Sequence, residues 1–365
     1  MLPAARWFVV AVVAIACATA PALLRVVPAH DVDVSAAALA KRIHDSAALG
    51  WSGEVHAIGA LELPLSGSTF GGVSRLLGGQ TDLRVWWRDP EHWRVDRLRT
   101  SGEQDLVRDG TQTMRWTYES STARFTPYSD VRLPNDSDVV PPVLATRLLS
   151  GAKAAELTRL PARRVDGRGA AGLRLVPSDP RTTIARVDVW ADEDTGLPLR
   201  VDVYDEGGRD RPILTTQLFS LDTDRPSGDR TSIQIAGGVR FTRGAALDEA
   251  AGANAFAPFE LPDEVADLPR RGRPETFRAV GIYGRGPTAL VGIPLRSFVT
   301  KALYDQLSSN RSAKVTKRRV SLQVGPLSVL LLVGRDVGLL LTGTVTQATL
   351  KRATSDMVRG MVRTR

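Results

Sequence analysis

One cysteine, Cys17, and four histidines are all the thiolate and imidazole ligands this 365-residue chain offers. That excludes an intrachain disulfide framework and any Cys-rich zinc or iron–sulfur centre. Carboxylates are the next resource. Asp192-Glu193-Asp194-Thr195-Gly196 places three acids in a row at a turn between two strand-like runs. The ligand series of a calcium loop is missing around them, so a solvent-facing hairpin turn is the expectation and no metal is assigned. Asp188, Asp192 and Glu193 are a conceivable hydrolytic carboxylate set, but strand alternation puts Asp188 toward solvent and nothing there holds a substrate. His56 and His92 fall in runs that read as neighbouring strands, without a serine or cysteine nucleophile implied beside them. A nucleophile elbow, a Walker A lysine and a His-Glu-x-x-His pair are all missing. No catalytic residue, metal or cofactor is therefore expected. The chain reads as a binding protein rather than an enzyme.

What could bind is apolar and aromatic. Trp86, Trp93, Met114, Trp116 and Phe125 recur through closely spaced strand runs, which begin with Trp51–Ile58 and continue with Leu83–Trp87, His92–Leu98, Glu103–Arg108, Gln112–Tyr118 and Ser121–Tyr128. Turn pairs such as Asp89-Pro90 and Asp109-Gly110 punctuate them. Gaps this short leave no room for parallel crossovers, so the runs form an antiparallel meander. Further strands are expected at Gly172–Val176, Ile184–Ala191, Leu199–Tyr204 and Ile213–Leu221. Helices are expected over Ser35–Leu49 and, behind Pro141-Pro142, over Val143–Leu149. Between Pro64 and Gln80 lies an apolar, Gly/Ser-rich excursion containing Phe70 and Leu76, which suits a lid. A large curved sheet covered imperfectly by a few helices has a concave face. With Trp86, Trp93, Met114, Trp116, Phe125, Phe70 and Leu76 as its lining, that face would accept an acyl chain or the apolar side chains of a peptide. The bland alternative is ordinary core packing.

Charge divides the chain. Net charge is +8. Residues 30–257 carry 28 basic and 32 acidic groups, whereas residues 258–365 carry 18 and 8. The fold class is thus α+β in two parts. A large domain spans 33–222, a turn-rich and then Ala/Gly-rich stretch at 223–257 reads as a linker, and a small basic domain covers 258–360. Within the latter, Lys314, Lys317, Arg318 and Arg319 form the densest patch, suited to an acidic protein segment or to anionic headgroups at a membrane surface. The apolar stretch 325–345 is interrupted at Arg335-Asp336, so neither half can cross a bilayer.

Residues 1–29 read as a signal peptide or an N-terminal membrane anchor. Arg6 precedes an uncharged run from Trp7 to Leu24. Such a segment places the remainder outside the cytoplasm and away from nucleic acid.

Several motifs resemble a known family. These are Trp51-Ser52-Gly53 at a strand start, Arg164-Val165-Asp166-Gly167-Arg168 before a strand, and Leu173–Pro177 followed by Asp179. Most specific is Val189-Trp190-Ala191-Asp192 with Thr195-Gly196-Leu197-Pro198-Leu199. Together they resemble the periplasmic sigma-factor regulators RseB/MucB, whose large domain is similar to the lipoprotein carriers LolA and LolB. The resemblance covers roughly residues 33–222. It implies an eleven-stranded half-barrel plugged by helices. It also implies an extracytoplasmic regulator that binds an anti-sigma factor's extracytoplasmic segment, or another envelope protein, with lipid in the half-barrel as a signal. A lipid or lipoprotein carrier or chaperone is the alternative, since the same large domain serves both. A filled barrel with a purely structural role in the envelope ranks third.

Overall fold

A computed structural model describes residues 31–61, 71–100, 102–128, 132, 134–208, 210–233, 240–243, 256–257, 259–271 and 278–363. The N-terminal segment and Phe70 lie outside the described residues.

Twelve strands form the large sheet, in the order β12-β6-β5-β4-β3-β2-β1-β11-β10-β9-β8-β7. The first half is a meander of β1 (Trp51–Gly59), β2 (Gln80–Asp89), β3 (His92–Arg99), β4 (Gly102–Asp109), β5 (Gln112–Thr117) and β6 (Thr122–Pro127). The second is a meander of β7 (Leu157–Val165), β8 (Arg168–Leu175), β9 (Ile184–Asp192), β10 (Pro198–Asp205) and β11 (Leu214–Asp222). The two halves join where β1 pairs antiparallel with β11. Eleven strands are antiparallel, as the resemblance implies. A twelfth, β12 (Arg240–Arg243), adds parallel to β6 at the edge.

Helices cover one face. Ser35 caps α1 (Ala36–Asp45) by accepting from the Ala38 amide, and Leu39 and Ile43 point from it into the core. The other two are α2 (Gly71–Gly78) and α3 (Pro141–Leu149). Pro141 and Pro142 occupy the first turn of α3, where a missing N–H costs nothing. Beneath them Val187, Val189, Val201 and Val203 form a dry layer with Leu39, Ile43 and Ala145.

The opposite face is paved with arginine–aspartate ladders. Arg174 grips Asp188 through two bonds of 2.7 Å, Arg200 grips Asp202, and Arg94 grips Asp96. Asp188 is on the outward face, as alternation requires, but it is buried beneath Arg174 and Arg186 rather than open to solvent. Arginine stems pack well over such a surface while their forks pair with carboxylates, which gives the arginine-rich composition a structural use.

Two segments depart from expectation. Strand β7 went unread because Pro161 interrupts it; the register slips between Leu160 and Arg163, which an edge strand tolerates. The stretch expected as a linker is partly built into the fold. Helix α4 (Gly228–Thr231) lies across β2, β3 and β4, and β12 extends the sheet.

A second sheet of eight strands follows β13 (Phe259–Glu260). It runs β14 (Glu264–Val265), β15 (Leu268–Arg271), β16 (Gly281–Arg285), β17 (Thr288–Arg296), β21 (Val337–Gly343), β20 (Leu327–Leu332), β19 (Arg319–Val324) and β18 (Lys314–Thr316). Helices α5 (Ser297–Ser308) and α6 (Gln347–Gly360) pack against it, and β22 (Val362–Arg363) pairs with β13. The α+β expectation holds here, and Arg335-Asp336 is indeed the break between two strands. The sheets meet at Thr182 and Thr183, whose hydroxyls donate to the Pro287 and Pro326 carbonyls, while Arg181 donates to the Asp267 carbonyl at 2.6 Å. No helix among the described residues is long and apolar enough to cross a membrane.

Candidate functional site

Strand alternation decides which side chains share the inner face. Trp51, Trp87 and Trp93 sit side by side on β1, β2 and β3, because Trp51 pairs with Trp87 and Trp87 with Trp93. Their rings form a continuous stack, with centroids 6.3 Å and then 5.5 Å apart and interplanar angles of 10° and 2°. This wall bounds a cavity of about 390 Å³ between the sheet and α3. Val143 and Pro142 supply its apolar roof; Arg108, Arg132 and Arg147 line its polar side. Arg108 stacks over Tyr128 with its guanidinium carbon 3.4 Å from the ring centroid.

One buried acid anchors that polar side. Asp138, in a short 3-10 turn at 136–139, receives bonds from Arg132 at 2.6 Å, Arg147 at 2.7 Å and the Asn135 amide at 2.7 Å. Burial opposes its ionisation, but Arg132 and Arg147 outweigh it and hold the carboxyl below its ordinary range.

The proposed lining residues split across the sheet. Trp93 is 2% exposed and faces inward, and Leu76 of α2 packs into the same cluster. Trp86, Met114, Trp116 and Phe125 do not join them. Met114 and Phe125 pair across β5 and β6 on the outer face, where Trp116, Val107, Ala123 and Ile233 complete a separate cluster. Trp86 also faces outward, beneath the guanidinium of Arg94. The aromatic composition alone does not say which of two faces each ring takes. The strand registers do, and Trp51 and Trp87, left out of the sequence-based set, belong in the wall.

Other candidates also find ordinary roles. Asp192 caps its own turn, accepting from the Thr195 amide and hydroxyl at 2.9 Å, and Arg168 pairs with its other oxygen. His56 and His92 sit on β1 and β3, separated by β2 and at opposite ends of it. His92 bonds Asp89 at 2.8 Å. Gly167, Gly169 and Gly172 have dinucleotide-motif spacing but run along the β7–β8 hairpin, with no helix N-terminus to receive a phosphate. Lys314, Lys317, Arg318 and Arg319 are all exposed at the β18–β19 hairpin, and none forms an ion pair among the described residues.

On the outer face, Asp96 and Asp105 stand directly opposite each other on β3 and β4 and share Arg94. Burial pushes Asp96 up to about 7, opposed by Arg94 and reinforced by Asp105 and Glu103. Folding therefore takes up a proton here. The associated stability is full below the ordinary carboxyl range of about 3.9 and is lost as pH rises toward 7. The thermal midpoint should fall from pH 5 to pH 8, and Asp96→Asn should flatten that slope; a midpoint with the same slope in the variant rejects the assignment.

Residues 101–235 match the family model of the MucB/RseB N-terminal domain. The complex structure of Pseudomonas aeruginosa MucA/MucB aligns with 90% of this chain and 99% of its own, at 17% identity and a TM-score of 0.50. A crystal structure of MucB in complex with MucA(peri) aligns with 91% and 100%, at 16% identity and 0.50. A search of curated proteins finds no match. The family's domain is thus matched from β4 to α4, and the chain shares the MucB fold across both sheets.

Proposed function

We propose that this chain is an extracytoplasmic regulator that grips the extracytoplasmic segment of an anti-sigma factor, or a similar envelope protein, and that an apolar guest in the half-barrel tunes the grip. The observation that carries the reading is the fold shared over the full length of a MucB chain captured with the periplasmic part of MucA. The tryptophan-walled cavity supports the second half of it. About 390 Å³ falls within the usual range for small-molecule pockets and suits a single acyl chain or a few apolar side chains. The basic hairpin at Lys314–Arg319 is a second contact for that partner or for headgroups of the membrane surface. No chemistry is assigned to the chain, and the lipid or lipoprotein carrier is the runner-up; the additional eight-stranded sheet favours the regulator, because carriers do not need it.

The test is photocrosslinking from the cavity rim in native membranes, with mass spectrometry of protein adducts and of co-purified lipid. Recovery of an anti-sigma factor's extracytoplasmic segment supports the regulator. Lipoproteins or lipid as the sole adducts would instead establish the carrier.

A further inference from the structure

Beyond the tryptophan wall the inner face turns cationic. Across β3 to β6 it presents Arg97, then Gln104, Leu106, Arg115 and Arg124, with Arg75 reaching in from α2. Arg115 and Arg124 are cross-strand partners. Like charges set directly opposite one another destabilise a sheet, so their retention needs a reason. Arg97 is satisfied by Asp136 and Gln104. Among the described residues, Arg75, Arg115 and Arg124 have neither a hydrogen bond nor an ion pair. This contrasts with the outer face, where the ladders pair arginine with aspartate.

Their electrostatics agree. The hollow partly desolvates Arg115, and Arg97, Arg124 and Arg132 repel it; only Asp136 offsets this, and its pKa falls below the ordinary arginine value. Desolvation, Arg97 and Arg99 do the same to Arg75.

We propose that this arginine track is a docking site for an acidic peptide segment lying across the strands of the hollow. The inference rests on the partner reading above and supplies its chemistry. Strand spacing favours a peptide over a single headgroup. Neighbouring strands lie about 4.8 Å apart, and from β3 to β6 the array crosses three such gaps, further than one phosphate reaches. Successive carboxylates on an extended chain match that spread, and guanidinium forks bind carboxylates bidentately. Apolar residues of the same segment would continue onto Leu106, Val95 and the tryptophan wall, which share this face.

The full chain is titrated with a 12-residue peptide of alternating Glu and Leu, and with its Gln/Leu counterpart, following tryptophan fluorescence. The Glu peptide is expected to bind at least tenfold more tightly, with salt weakening it. Arg115→Gln/Arg124→Gln is expected to erase the difference while leaving the thermal midpoint unchanged or raised. Equal binding of the two peptides, or a preference that survives the double variant, overturns the proposal. So does arginine-dependent binding of phosphatidylglycerol vesicles without binding of the Glu peptide. Native-membrane crosslinking of the double variant separates the two readings: an anti-sigma adduct undiminished by the substitutions sinks the track alone and leaves the partner standing.

Discussion

Trp93→Ala should cost about 3–5 kcal/mol of stability, the range for truncating a fully packed tryptophan, and, on the proposal that the cavity takes an apolar guest, should also lower the lipid that co-purifies. Both effects follow from one position. Trp93 is 2% exposed and belongs to the main core cluster. It is also the outermost ring of the stacked wall, parallel to Trp87 at 5.5 Å. Offset stacking adds about 0.5–1.5 kcal/mol beyond the buried area. Urea denaturation measures the first effect. Mass spectrometry of lipid retained by the purified variant measures the second. A loss below about 1 kcal/mol would deny that the ring is part of the core. Full retention of guest in a destabilised variant would deny that it lines the cavity. Trp116→Ala is the control: its ring lies in the outer cluster, so guest retention should not change.

Asp138→Ala should be nearly as damaging, at about 3–5 kcal/mol, because removing one partner from a buried ion cluster strands the others. Here two arginines, Arg132 and Arg147, and the Asn135 amide lose their acceptor together. The pH dependence has a definite sign. The folded carboxyl is held below the unfolded value of about 3.9, so its contribution is present above that pH and is lost as pH falls through the lower, folded value. Urea midpoints at pH 7 and pH 3 should therefore converge between the native chain and Asp138→Asn. A gap that stays constant with pH would show that the carboxylate's charge does not stabilise this turn. The opposite slope at Asp96 confines its effect to a higher window, so the two acids can be separated in a single pH series.

Much of the architecture could be read from residue order. Alternation along Val187, Val189 and Ala191 and the tight turns at Asp109-Gly110 and Thr195-Gly196 called for antiparallel hairpins, and those form. Pro141-Pro142 marked a helix start correctly. What could not be read was long range. Nothing local in Trp51 announces that it will face Trp87, because that pairing needs a register across thirty-five intervening residues. The same limit sent Met114 and Phe125 into the proposed lining: alternation shows that residues differ in side, but not which side is inner. The arginine track escaped for a related reason. Arg97, Arg115 and Arg124 look like any charged strand residues until register stacks them on the helix-covered face. Strand β7 was hidden by its proline, and β12 by a polar neighbourhood that resembles a tether.

The seam between β1 and β11 has a consequence for how the molecule is made. Val55 and Leu218 are partners yet stand about 160 residues apart, and each half-meander has an unpaired inner edge until they meet. Loop closure of that length delays the step that welds the two halves, so the chain is a slow, late-committing folder. During synthesis nothing before Leu214 can complete the seam. Until that point the nascent polypeptide carries two half-sheets with open strand margins, so their correct welding competes with mispairing between chains.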